Sequence, residues 1–345
     1  MRPPWHDNGF VVQMPHMAPG ERLSEVEFLK MLAAYQWSAI AHMLGRKPSE
    51  ISNDARERLY GSVIDVEMKL AEQHSMEVLG EDADIRVRNR VASYAKKFVE
   101  GLFVIDDHPI PDEGLATIKT REDLRSIPLS WACMTNAFIA PTGGNTRLKV
   151  YKPAGIDERE IEELTTPPAG IRLQGLAQGG HEIEPLDDGP PGIALLPRAP
   201  DPIRYDIVTE SDLNGAGLVY FARYESMMNY GERLFLGRQL EVPISNEWIA
   251  CLSTEHRKAV FFANASPTDT VEVRLTAHLL PPGSFTPPPA GRPHRTPLKL
   301  RFRIDLYRGS DRVLMASSLV RKALNVPGSN KAVLMEVDRL LRRWT

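Results

Sequence analysis

Apolar residues fall at Phe28, Leu29, Leu32, Ala33, Trp37, Ile40 and Leu44, spaced by three and four. That periodicity predicts a helix with one buried face. Ser24 stands before it as an N-cap, and Glu27 completes a capping box. Gly45 and then Pro48 end it. The period then changes. Residues 59–67, 85–91, 94–104, 131–140 and 146–151 alternate or run apolar in short stretches, which predicts strands. A turn at 141–145, Pro-Thr-Gly-Gly-Asn, joins the last two. Residues 1–22, broken by Pro15 and Pro19, read as irregular.

The second half repeats this grammar. A helix is expected from about 219 to 236, with strand patterns at 259–264, 271–280, 298–308 and 313–324. The Pro-rich insert 281–297 must be a loop. The first helix closes on Leu44-Gly-Arg-Lys47 and the second on Leu236-Gly-Arg-Gln239. Each is followed by an apolar strand start, Trp131-Ala-Cys-Met134 and Trp248-Ile-Ala-Cys-Leu252. The shared order predicts a tandem duplication of α+β modules, each one helix with several antiparallel strands. The expected boundaries are 1–160 for the first module and 203–345 for the second. Between them, 161–202, rich in Pro, Gly and acidic residues, reads as a linker.

A length of 345 residues suits two cores better than one. A formal net charge of -3 supplies no basic field for nucleic acid. No run reaches the length of a membrane span, and the start of the chain lacks the apolar run of a signal peptide, so a cytoplasmic protein is expected. Cys133 and Cys251 sit in apolar surroundings and read as buried small hydrophobes. The nine histidines show no ligand spacing, so no metal is expected. There is no Gly-x-Ser-x-Gly elbow and no Walker loop, and the glycines of 175–180 are too scattered for a dinucleotide site.

Candidate chemistry concentrates in Asp212-Leu-Asn-Gly-Ala-Gly-Leu-Val-Tyr-Phe-Ala-Arg-Tyr224. Gly215 and Gly217 allow tight turns and close approach of a ligand to the backbone. The free N–H groups of the helix that follows suit a polarised carbonyl oxygen or an enolate. A plain Asx-turn and cap is the local alternative. The segment resembles the helix-opening signature of hot-dog acyl-CoA thioesterases, Asp-x-Asp-x-x-Gly-x-Val-Tyr-Phe-x-x-Tyr. In that family the second Asp is the nucleophile or base. Asn214 stands there, and an amide can serve as neither. The histidine of some relatives falls on Leu218.

Met14-Pro-His-Met-Ala-Pro-Gly-Glu-Arg-Leu-Ser-Glu25, with the helix through Trp37, resembles a second group, the bifunctional acyltransferase/decarboxylases of leinamycin-type polyketide pathways. The likeness is one of motifs and runs through both halves; the linker and the 281–297 insert are where this chain departs. It implies a tandem double hot-dog protein that takes methylmalonyl-CoA, loads the acyl group on an acyl carrier protein and decarboxylates it to propionyl. No cofactor is implied, since the thioester itself accepts the electron pair. The family's active-site tyrosine, for which an acyl-O-tyrosine intermediate has been proposed, matches Tyr60 in Arg58-Leu-Tyr-Gly-Ser62. Gly61 would admit a ligand to the backbone. A phenol with a pKa near 10 needs a neighbouring donor or cation, and the sequence names none.

The expected catalytic residues are thus Tyr60 and Asn214, with His16, Thr135, Gly215, Gly217 and Tyr220 as substrate contacts. Each has a plainer reading: a half-buried strand residue for Tyr60, an exposed loop residue for His16, backbone pairing for Thr135 and Asn136, and helix core for Tyr220, Phe221 and Tyr224. A hot-dog thioesterase or dehydratase, or a non-catalytic acyl-CoA-binding pathway protein, are the rival functions. Two fused modules can supply each other's pairing, which allows a monomer or a homodimer.

Overall fold

The computed structural model describes residues 5–71, 76, 79–106, 108, 111–142, 148–178, 193–195, 202–241, 243–280, 298–326 and 330–344. In chain order the first half contains β1 (His6–Val11), β2 (Met17–Ala18), β3 (Arg22–Leu23), α1 (Glu25–Leu44), β4 (Tyr60–Lys69), β5 (Asp84–Tyr94), β6 (Phe98–Asp106), α2 (Asp112–Leu115), α3 (Arg121–Ser126), β7 (Ser130–Pro141) and β8 (Leu148–Val150). Then come α4 (Ala169–Gln178) and β9 (Ile193–Leu195). The second half contains β10 (Ile203–Asp206), α5 (Thr209–Asp212), α6 (Phe221–Leu240), α7 (Asn246–Cys251), β11 (Leu252–Phe261), β12 (Thr270–Leu279), β13 (Leu298–Arg308), β14 (Leu314–Leu324) and α8 (Lys331–Trp344).

The long strands join one antiparallel sheet in the order β1-β5-β6-β7-β4-β11-β14-β13-β12-β10, with β8 on β7 and β9 on β12 beside this path. The order is palindromic. Outermost in each half is the strand before the long helix, and innermost is the strand after it. The halves meet where β4 pairs with β11, from His256 opposite Lys69 to Val260 opposite Asp65. Both inner strands also carry a bulge at the same place. Ile64 is skipped in the ladder with β7, and Glu255 in the ladder with β14. The halves are therefore related by a pseudo-twofold axis through the β4–β11 seam.

Both long helices have 20 residues and lie side by side on one face of the sheet. Phe28, Leu32, Met227 and Phe235 on the helices close a core with Phe103, Met134, Phe302 and Ile304 on the strands. On the opposite face α2 and α3 cover the first half through Leu115, Leu124 and Trp131. Cys133 is buried there, and burial pushes its thiol well up, away from nucleophile chemistry. Cys251 is buried too.

Several local readings change. The Ser24 side chain makes no cap bond, and no capping box forms: the Ser24 N–H donates to the His16 carbonyl (2.8 Å) and Glu27 pairs with Lys30 (2.7 Å). α6 runs through Gly237 and stops at Glu241, which takes the left-handed conformation at φ 60°. The segment at Trp248 is α7, not strand, since Ser245 caps it by accepting from the Trp248 N–H (3.3 Å). The N-terminal stretch contains the edge strand β1, whose side chains alternate between half-buried and exposed. In the expected linker, Glu163 bridges to Ser93 and α4 packs on β4 and β11. Its remainder at 179–192 and 196–201, most of the 141–145 turn and the whole 281–297 insert lie outside the described residues.

A buried ionic cluster fastens the halves. Glu25 of α1 accepts from Arg257 of β11 (2.7 Å) and from the Thr254 hydroxyl (2.8 Å). Arg257 also pairs with Glu225 of α6, and Lys322 of β14 with Glu232. Burial pushes the Glu225 carboxyl well up. It pushes on Glu25 too, but there Arg257 and Lys322 outweigh it and hold the carboxyl at about 2.

Across the seam on the other face, Glu67 of β4 meets His256 (3.2 Å) and Lys258 (3.7 Å) of β11 and Arg125 of α3 (2.7 Å). Burial would raise Glu67, but hydrogen bonds from His256 and Arg125 and the nearby charges hold it at about 2, against an ordinary value of 4.5. Its folded pKa is depressed. Its contribution to stability is therefore full above about pH 4.5 and is lost as pH falls toward 2. Glu67→Gln is expected to cost roughly 2–3 kcal/mol at pH 7 and almost nothing extra near pH 2. Urea unfolding at both pH values checks this; an equal loss at both would contradict it.

Candidate functional site

A cleft of about 400 Å³ opens between the halves. One wall comes from α1 (Ala33, Ala34, Trp37), the start of β4 and the middle of β7. The other comes from the loop at Asn214, the first turn of α6 and the end of β11. Tyr60, Asn214 and Tyr220 all line it, although 154 residues of chain separate Tyr60 from Asn214.

Tyr60 is the first residue of β4 and is half-buried. The Arg58 guanidinium lies over its ring, 5.1 Å from the centroid. Spaced by two on extended chain, the two side chains share a side. Arg58 is exposed, so the mouth of the cleft carries a positive charge stacked on the phenol ring.

Gly61 differs from expectation. The space over it is taken by Trp37: a Cβ there would sit 2.6 Å from the indole. Glycine lets the Trp37 ring lie flat on β4 and form part of the cleft wall.

Asn136, one residue beyond Thr135 on β7, faces the cleft and is buried. Its Oδ1 accepts from the Gln36 Nε2 of α1 (2.6 Å), which also donates to the Met134 carbonyl (3.0 Å). With the oxygen so fixed, Asn136 offers its Nδ2 hydrogens to the cleft. Nδ2 lies 3.2 Å from where a Gly61 Cβ would be.

The loop before α6 is organised by two asparagines. Asn214 Oδ1 accepts from the N–H groups of Ala216 (2.9 Å) and Leu218 (3.2 Å), and its carbonyl accepts from Gly217 (2.9 Å). The N–H groups of Ala216, Gly217 and Leu218 are thus used inside the loop. Gly217, at φ +71°, makes that turn possible, and neither it nor exposed Gly215 lines the cleft. Asn264, from the end of β11, accepts from the Val219 N–H (3.0 Å) and fixes the loop to the sheet. Tyr220 is raised by burial to about 12, so it stays a neutral phenol. Tyr224 is raised further by burial and donates to the Ala263 carbonyl (2.9 Å).

Two expected contacts lie elsewhere. Alternation turns Thr135 to the other face of β7, where its hydroxyl accepts from Arg121 (2.8 Å) beside Asp65 and Glu100. His16 ends a short 3₁₀ turn, accepts from the Gln13 N–H (3.1 Å) and packs edge-on against Phe10. Neither lines the cleft. Gln36, Arg58, Trp37, Gln174 and Asn264 shape the site without a signal in the local sequence. Among the described residues the wall holds no carboxylate and no imidazole.

The architecture has counterparts among solved structures. A protein assigned as an oleoyl thioesterase from Lactobacillus plantarum matches over 94% of this chain and 96% of that one, with TM-score 0.56 and 10% identity. An acyl-ACP thioesterase from Bacteroides thetaiotaomicron matches over 92% and 97%, with TM-score 0.50 and 12% identity. The fold is a double hot-dog. No family model and no curated protein matches the chain. Within this double hot-dog, α1 and α6 are the two central helices, and the cleft uses one helix from its middle and the other from its start.

The Trp37–Gly61 contact gives a test. Gly61→Ala should destabilise the double hot-dog by about 1–3 kcal/mol through overpacking. Adding Trp37→Leu should return most of that loss, read as the urea midpoint of the double variant against Trp37→Leu alone. A Gly61→Ala variant as stable as the parent would contradict the contact.

Proposed function

We propose that the chain is an acyltransferase and decarboxylase acting on a malonyl-type acyl-CoA, with methylmalonyl-CoA as the expected donor and an acyl carrier protein as acceptor. The observation that carries this reading is the make-up of the cleft. It joins a phenol, a guanidinium and amide donors, and among the described residues its wall has no acid–base pair. Hydrolysis needs a group to activate water, whereas decarboxylation of a malonyl thioester needs only a held oxygen and a carboxylate free to leave.

The reaction then runs in three steps. Arg58 pairs with the malonyl carboxylate at the mouth. The Tyr60 oxygen attacks the thioester carbonyl; the C–O bond forms, the C–S bond breaks, and the phenol proton passes to the coenzyme A sulfur. The C–C bond to the carboxylate then breaks, carbon dioxide leaves, and the electron pair is held as an enolate. The Nδ2 groups of Asn136 and Asn214 hold its oxygen until a solvent proton restores the α-carbon. Finally the carrier thiol attacks the acyl-tyrosine, and the phenol recovers its proton. The preset Gln36–Asn136 bond removes reorganisation from the second step. The structural neighbours are named for thioester hydrolysis; on this fold the loss of an acid–base group at Asn214 and Leu218 favours transfer.

Incubation with methylmalonyl-CoA and a carrier protein should yield a propionyl-carrier, read by mass spectrometry. Tyr60→Phe should abolish it. Arg58→Ala should raise KM for methylmalonyl-CoA about tenfold while changing that for propionyl-CoA little. Release of free acid without loading would favour a thioesterase. No propionyl-carrier across several malonyl-type donors and carriers would refute the proposal.

A further inference from the structure

The pseudo-twofold axis places a second cleft, of about 340 Å³, opposite the first. It uses α6 from its middle (Ser226, Asn229, Arg233), the loop before α1, the start of β11 and the end of β14. The correspondence reaches single residues. Gln36 and Glu232 are each the twelfth residue of their helix. Asn136 and Lys322 are each the last partner before the bulge, opposite Val63 and Thr254. The buried Gln36–Asn136 amide pair beside the first cleft thus becomes a buried Glu232–Lys322 ion pair in the second.

This pair is incompletely satisfied. Glu232 is 2% exposed, lines the cleft, and its Oε1 has no hydrogen-bond partner. The Arg257 guanidinium lies 3.8 Å from that oxygen, beyond hydrogen-bond reach. Lys322 is 5% exposed and uses two of its three hydrogens, on Asn229 Oδ1 (2.7 Å) and Glu232 Oε2. The wall therefore presents one buried acceptor beside one ammonium hydrogen with no partner among the described residues. A hydroxyl, which both donates and accepts, complements that arrangement; a hydrocarbon leaves both groups unpaired and desolvated.

We propose that the second cleft is a binding site for a hydroxyacyl thioester, its hydroxyl donating to Glu232 Oε1 and accepting from Lys322. The position equivalent to Tyr60 is Cys251, which does not line this cleft; the start of β11 offers Leu252, Ser253 and Thr254 to it. The site binds and does not take the acyl group covalently. That the ligand is a thioester rests on the function proposed for the first cleft; the hydroxyl rests on Glu232 and Lys322 alone.

Calorimetric titration with 3-hydroxybutyryl-CoA and with butyryl-CoA tests this. The hydroxylated probe should bind with one more equivalent per chain than butyryl-CoA. Ser226→Trp, which fills the second cleft from α6 without touching the ion pair, should remove that equivalent. Ala34→Trp, which fills the first cleft, should leave it in place, so failure of the first site does not decide the second. Glu232→Gln should weaken the extra equivalent roughly tenfold or more. Equal stoichiometry for the two probes, or an extra equivalent that survives Ser226→Trp, would overturn the proposal.

Discussion

The pairing of β4 with β11 is the constraint on which the rest of the molecule depends. It makes one sheet out of two five-stranded halves, and so it sets how α1 and α6 lie on that sheet. Both clefts form where the middle of one helix meets the start of the other. On the helix face the seam is fastened by Glu25 and Arg257, and on the opposite face by Glu67 and its cations. Removing one partner of the fully buried Glu25–Arg257 pair leaves the other charge uncompensated, a loss of about 3–5 kcal/mol. The seam is thus the part of the fold least tolerant of single changes.

The elements most visible in the sequence were those whose signals are local. The three- and four-residue spacing and Gly45 placed α1 to within a residue, and period-two alternation found β5. Gly237 misled because a glycine inside a helix is tolerated where packing is close; α6 ends instead on a left-handed glutamate, which carries no sequence signature. The strand-like run at Trp248 is short enough for either structure, and the Ser245 cap decides it. The site divides in the same way. Tyr60, Asn214 and Tyr220 are recognisable by motif and do meet in one cleft. Gln36 and Asn136 lie 100 residues apart, and nothing in either neighbourhood announces their bond. Thr135 was a candidate as much as Asn136, because only the actual register says which of two neighbours on a strand faces inward.

The two clefts share a plan and differ in electrostatics. Neutral amides back the first. A carboxylate and an ammonium back the second, within a cluster of three acids and two bases. The same backbone positions therefore present an amide to a ligand on one side, and an ammonium beside a carboxylate oxygen on the other.

The bulges at Ile64 and Glu255 fix which residues of the inner strands are equivalent, and three places further on stand Glu67 and Lys258. These two also face each other across the seam, so the pseudo-twofold axis passes between them. A residue on a true twofold axis meets its own copy. Two identical subunits would have to set glutamate against glutamate there, or lysine against lysine, in a buried position. Covalent linkage lifts that prohibition and lets the axis carry an attractive pair. The halves have become left and right hands: neither can be replaced by a second copy of the other without restoring the repulsion at the centre.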